Sequence, residues 1–401
     1  MEPKLGWVWL SQSERMAAEA SLAVAGPEGT RDELGFGVIH FAYADRFFPG
    51  ISVQHTSLRY VWFVCWALQE MATRSPGGLF PEKMFEEIED RTGRRLLERY
   101  GTSDGTGIVG GRVLRKGGSP VSKPSGIYWS ALRTWGLLSP FASTGTPPHR
   151  SDLARQWDTY TRRDRPEVDA FDRGHAFFAD PAPMPFDWTR KRGGIGFELD
   201  PTGREGERIR AGWSRMRDHG GQPTLLSRLA ERRRAAPKAL NSPDVRELCS
   251  PAERLALERA DRAASLVCIA RALYVAMVGD LKRGDGATVE DPDRMLADAL
   301  NAHAEKALYL DLGLLEGDVP ALGELRPLLA AVQDWIAGER RDYGRLQPAF
   351  LRREHALKDD RAMLLKGSSG RREAWHPSTP WPLTYRWEKV AAFLDELAPA
   401  A

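Results

Sequence analysis

The chain has 401 residues, 42% hydrophobic and 28% charged, which excludes a disordered chain and gives room for two or three cored domains. Its 57 basic and 55 acidic side chains leave a formal charge of +2, so any surface for a polyanion must be local. Three scattered cysteines, Cys65, Cys249 and Cys268, exclude a disulfide scaffold and a cysteine-rich zinc site and fit a reducing cytoplasm.

Helix signals dominate from the start. Ser11 and Glu14 form an S-x-x-E capping box that predicts a helix through Val24, and Asp32–Gly50 predicts a second one stopped by Pro49-Gly50. The opening residues show no apolar core of signal-peptide length. The apolar run Tyr60–Leu68 is far shorter than the ~20 residues of a membrane span, so Leu58–Ala72 reads as a central core helix. Pro81–Gly101 is amphipathic, although Gly93 weakens the case for one unbroken helix.

Next comes the most site-like stretch, "GTGIVGGRVLRKGGSPVSKPSGIYWSALRTWG", from Gly105 to Gly136. Its G-x-G-x-x-G lacks the strand before it and the helix after it that a dinucleotide site requires. Gly111 stands where a Walker lysine belongs, and no kinase lysine strand or H-R-D loop follows. What survives is a basic, glycine-rich segment leading into a helix near Ser125, with a short hairpin as an option at Val109–Leu114. Arg112, Arg115, Lys116, Lys123 and Arg133 are then candidates for phosphate contact, aided by the helix N-terminus. The apolar set Ile127, Tyr128, Ala131, Leu132 and Trp135 predicts a buried Trp135 and leaves Trp129 outside, free to stack on a base. The competing reading is a solvated surface loop.

Pro-rich clusters between Ser139 and Gly194 predict a linker or wrapping segment, dividing the chain into helical domains at 1–138 and 195–401. The second opens on another capping box, Ser250 to Glu253, heading a long helix that ends near Gly284 with an apolar stripe through Leu266, Leu273 and Met277. Asp291–Leu312 follows, and the chain closes on a helix whose docking face is Trp387, Val390, Phe393, Leu394 and Leu397. The fold class is mainly α.

Other chemistry finds little footing. The eight histidines form no H-E-x-x-H or H-x3-H pair, and "HALKDD" (His355 to Asp360) has the wrong spacing for an H-x-K phosphodiesterase motif. Asp32, Glu33 and Asp45 are the only acids singled out for a Mg²⁺-dependent nuclease, and Asp32-Glu33 also suit helix capping. No catalytic residue, metal or cofactor is assigned. Two further basic clusters, Arg228–Lys238 and Leu351–Trp375, read as solvated faces that lean toward a polyanion partner.

Several segments together carry a resemblance: "GWVWLSQSER", "DELGFGVIHFAYADRFFPG", "SLRYVWFV", "GIVGGRVL…KPSGIYWSALRTWGLL", "FELDPTGREGERI" and "LTYRWEKVAAFL". They resemble a bacterial family catalogued as a domain of unknown function, encoded in anti-phage defence loci beside helicase, methyltransferase or phospholipase-D-like genes. "QHTSLRY" departs from the family pattern, with His55 and Ser57 in place of Gln and Arg. The resemblance implies a cytoplasmic defence component working with DNA-handling proteins such as helicase or nuclease subunits, and it supplies no catalytic residues. The expected function is a non-enzymatic, DNA-associated accessory subunit with no membrane contact. An adaptor that binds an acidic protein and a metal-dependent nuclease stand as the alternatives.

Overall fold

The computed structural model describes residues 32–101, 106–140, 145–161, 178, 181–189, 197–218, 220–287, 292–338 and 342–398. The fold is mainly α, and among the described residues β-structure is limited to two isolated bridges. The predicted helix at Ser11–Val24 lies outside the described residues. Two compact units emerge, one from described residues of 47–237 and 388–398, the other from those of 32–46 and 238–387. The chain passes between them at 46/47, 237/238 and 387/388, and the described residues of the Pro-rich stretch 139–194 belong to the first unit.

In the first unit the Tyr60–Arg74 helix is buried without a break from Tyr60 to Ala72, as its all-round apolarity requires. Trp188 and Phe197 stack beside its Phe63, and the Trp66 indole donates to the Ala182 carbonyl at 2.9 Å. The Pro-rich segment therefore contributes the core indole of Trp188. Glu82–Tyr100 is one continuous helix through Gly93. A Cβ at Gly93 would stand 2.4 Å from Leu114 Cδ1, so this glycine lets Leu114 pack against the helix backbone.

In the second unit, Pro251–Gly284 is a 34-residue helix with both halves of the Ser250–Glu253 capping box formed. It is long and apolar enough to cross a membrane, yet 83% of its apolar window is buried in the fold. Pro292–Leu308 and Arg326–Ala337 pack on it. Within Asp32–Gly50 the helix runs from Gly37 to Phe47, and Asp318 ties it down by accepting from Tyr43 and Arg46 while Arg259 holds the same carboxylate. Tyr385 and Arg386 both adopt positive φ, 52° and 64°, ahead of the closing Trp387–Leu397 helix. The docking face predicted for that helix is buried at all five positions.

Candidate functional site

The basic stretch folds as a tight knot in place of a hairpin. Gly110, at φ 67°, turns the chain into the one-turn helix Gly111–Arg115, with the Pro120 ring packed where a side chain on Gly110 would stand. Ile108, Val109 and Leu114 are buried, and the Val109 amide donates to the Tyr60 hydroxyl at 2.9 Å. A hairpin is excluded because the left-handed Gly110 starts a helix here, and because Leu114 must reach Gly93.

Two of the expected phosphate-binding elements are taken by the protein's own acids. Lys123, 8% exposed, donates to Asp90 at 2.5 Å and to Ser119 at 2.6 Å. The N-terminus of the Pro124–Thr134 helix is already occupied by a carboxyl group, since the Ser125 amide and hydroxyl both donate to the oxygens of Glu89. Trp129 is buried where its spacing predicts exposure. It is 6% exposed and its indole donates to the Pro148 carbonyl at 3.0 Å, so its ring is not available to a base. Arg133 is half-buried and donates to the Pro147 carbonyl. Trp135 is buried as its spacing predicts.

Arg112, Arg115 and Lys116 remain at the surface. Positions 112, 115 and 116 are three and four residues apart, so the helical turn gathers their cations on one face. Between Thr106 and Ser122 there is no acidic residue. Val113 and Val121, 42% and 84% exposed, lie beside them in sequence.

Glu89 gives this region a pH signature. Burial pushes its carboxyl from the ordinary 4.5 up to about 7, against the pull of the Ser125 amide, Arg150 and Lys123. A raised folded-state value means that the stabilisation is complete below the unfolded value and is lost as pH rises through about 7. Glu89→Gln should therefore gain on the parent as pH rises from about 5 to 7.5, by at most about 1.4 kcal/mol per pH unit. Urea midpoints at several pH values measure this, and a gap that stays constant would show that Glu89 does not titrate there.

The acids considered for a metal have separate duties. The Asp32 carboxylate accepts the Phe36 and Gly37 amides at 2.7 and 2.6 Å, which is the capping role. Glu33 pairs with Lys358, and Asp45 pairs with Arg386 at 2.5 Å. Asp45 also lies eight residues beyond Gly37, roughly 12 Å along the helix axis from the end that Asp32 caps. Among the described residues no group of three or more His, Cys, Asp or Glu is placed to hold a metal ion.

The two positions that depart from the family pattern have structural partners. His55 stacks on Tyr128 at 4.2 Å, accepts the Ser52 amide at Nδ1 and has Nε2 3.1 Å from the Ile127 carbonyl. The Ser57 hydroxyl donates to the Leu199 carbonyl. Of the other basic clusters, Arg233 forms a bidentate pair with Glu207, while residues of Leu351–Trp375 help line a cavity in the second unit. No curated protein and no solved structure matches the chain. The family described as "Family of unknown function (DUF6361)" matches residues 3–173, which takes in the basic stretch and the first four of the segments that carry the resemblance.

Proposed function

We propose that the protein is a non-enzymatic accessory component of a bacterial anti-phage defence system that contacts nucleic-acid phosphates through Arg112, Arg115 and Lys116. One observation carries this reading: a single helical turn presents three cations on one exposed face, in a segment without acids. Lys123 and Trp129 are left out of the interface and serve to hold the segment in place. The resemblance to a family found beside helicase and methyltransferase genes supports the setting, with helicase or nuclease subunits as partners.

The salt dependence of binding to a labelled DNA duplex tests the proposal. Affinity should fall linearly in log salt, and replacing all three cations with alanine should reduce the slope by about 2–3, at roughly 0.9 per phosphate contact. Lack of binding at low salt, or an unchanged slope, refutes the proposal. Exposed Val113 and Val121 favour the second reading, an adaptor whose cations and apolar patch meet an acidic protein. That reading gains if DNA fails to bind.

A further inference from the structure

The second unit carries an open cleft of about 880 Å³, separate from the residues of the basic stretch. Arg271, Arg361, Arg371, His376, Trp375 and Phe36 are among its lining residues. Such a volume is typical of a small-ligand pocket and far exceeds what a lone phosphate fills.

Its charge is unbalanced. Among the described residues, no carboxylate comes within ion-pair distance of Arg271, Arg361 or Arg371, although ion pairs are frequent elsewhere in the fold. Arg271 lies over the Phe36 ring and donates to the Trp381 carbonyl. Burial holds its guanidinium below the ordinary arginine value, even with Asp32 nearby. Arg361 and Arg371 donate only to the carbonyls of Lys358 and Asp360. The two acids in the lining are already engaged, Asp32 as a helix cap and Glu33 with Lys358.

The wall is built in advance of any ligand. Arg372, 1% exposed, pairs with Asp285 and donates to the carbonyls of Met363, Leu365 and Lys366, closing the loop that runs from Arg361 to the Ser369–Glu373 helix, which carries Arg371. Lys282 reaches from the long helix to the carbonyls of Glu373 and Trp375, fixing the backbone beside the Trp375 ring. Three arginines beyond ion-pair distance of any described carboxylate, two of them exposed, line the cleft together with a half-buried indole and a pinned loop, an anion-binding arrangement with an aromatic wall.

We propose that this cavity binds a nucleoside phosphate, its phosphates on Arg361, Arg371 and Arg271 and its base against Trp375. Its residues belong to the second unit, whereas Arg112, Arg115 and Lys116 belong to the first. Isothermal titration of the full chain with ATP, GTP, CTP or UTP, and with inorganic phosphate, tests it. At least one of the nucleotides should bind in the micromolar to millimolar range, more tightly than phosphate. Arg361→Ala with Arg371→Ala should weaken binding by more than about tenfold. Arg361→Gln with Arg371→Gln, which keeps a donor for each carbonyl, should do the same while preserving the melting temperature. Trp375→Ala should weaken nucleotide binding and leave phosphate binding unchanged. Arg112→Ala with Arg115→Ala should leave nucleotide affinity unchanged, which separates this site from the DNA surface. Three results would each overturn the assignment: no binding by any of the four nucleotides, affinity insensitive to both arginine pairs, or phosphate binding as tightly as nucleotide.

Discussion

Trp129→Ala should destabilise the protein by about 3–5 kcal/mol, as much as Trp135→Ala, since each removes a buried indole and leaves a cavity. Trp135 donates to the Pro49 carbonyl at 3.1 Å and meets Trp213 edge-on at 5.3 Å. Its carbonyl lies 2.7 Å from where a Cβ on Gly212 would be, so two helical segments touch there nearly backbone to backbone. Trp129 is covered from the opposite side, where its indole is held by the Pro148 carbonyl. Trp129→Phe keeps much of the packing and loses the hydrogen bond, at a cost nearer 1–2 kcal/mol. Denaturant midpoints on the three variants measure the series. A Trp129→Ala variant within about 0.5 kcal/mol of the parent would mean a surface indole and return it to the candidate interface.

The misplacement of Trp129 shows where sequence reading loses its grip. Helical periodicity places Ile127, Tyr128, Ala131, Leu132 and Trp135 in the core; the last four are buried, while Ile127 is only half-buried. The solvent stripe, however, is Gly126, Ser130 and Thr134, four residues apart, because the chain near Pro147 and Pro148 covers the face next to it. A helical wheel sees one partner surface and has no knowledge of a loop that covers a second.

Local signals survived and long-range pairings did not. The Ser250–Glu253 box, the end of the long helix at Gly284 and the buried face of the closing helix all follow from residues within a turn of one another. Lys123 and the Ser125 amide looked ready for a phosphate because their partners, Asp90 and Glu89, lie more than thirty residues upstream. One signal for Glu89 was present. It stands four residues after Phe85 and seven before Leu96, on the apolar stripe of its helix, where a carboxylate must find an internal donor. The division into units was hidden for a related reason. Pro-rich composition marks irregular chain, but it does not tell which core the flanking helices join.

The basic cluster Leu351–Trp375 contains the second large effect. Glu354 reads as one acid in a run of cations, yet it is fully buried and its two oxygens take four donors. Oε1 accepts the Tyr274 hydroxyl at 2.6 Å, the Met363 amide at 2.9 Å and Lys358 at 3.0 Å, while Oε2 accepts the Leu364 amide at 3.0 Å. The carboxylate thus joins the long helix to the loop that lines the cleft proposed for a nucleotide, and burial, with this carboxylate beside it, pushes the Tyr274 hydroxyl above its ordinary value. Glu354→Ala leaves a buried hydroxyl and two amides without an acceptor, at about 1–3 kcal/mol each. Lys358 retains Glu33, so its charge is not stranded. The net loss should reach about 3–5 kcal/mol, the range for breaking a buried charged network. Glu354→Gln keeps one acceptor oxygen and turns an amide toward the donors, so it should lose less. Urea unfolding gives the magnitudes, and hydrogen exchange at the Met363 and Leu364 amides gives the location, with both amides losing protection first. A Glu354→Ala variant within about 1 kcal/mol of the parent, with those amides still protected, would show that the loop is held by Arg372 and Lys282 alone.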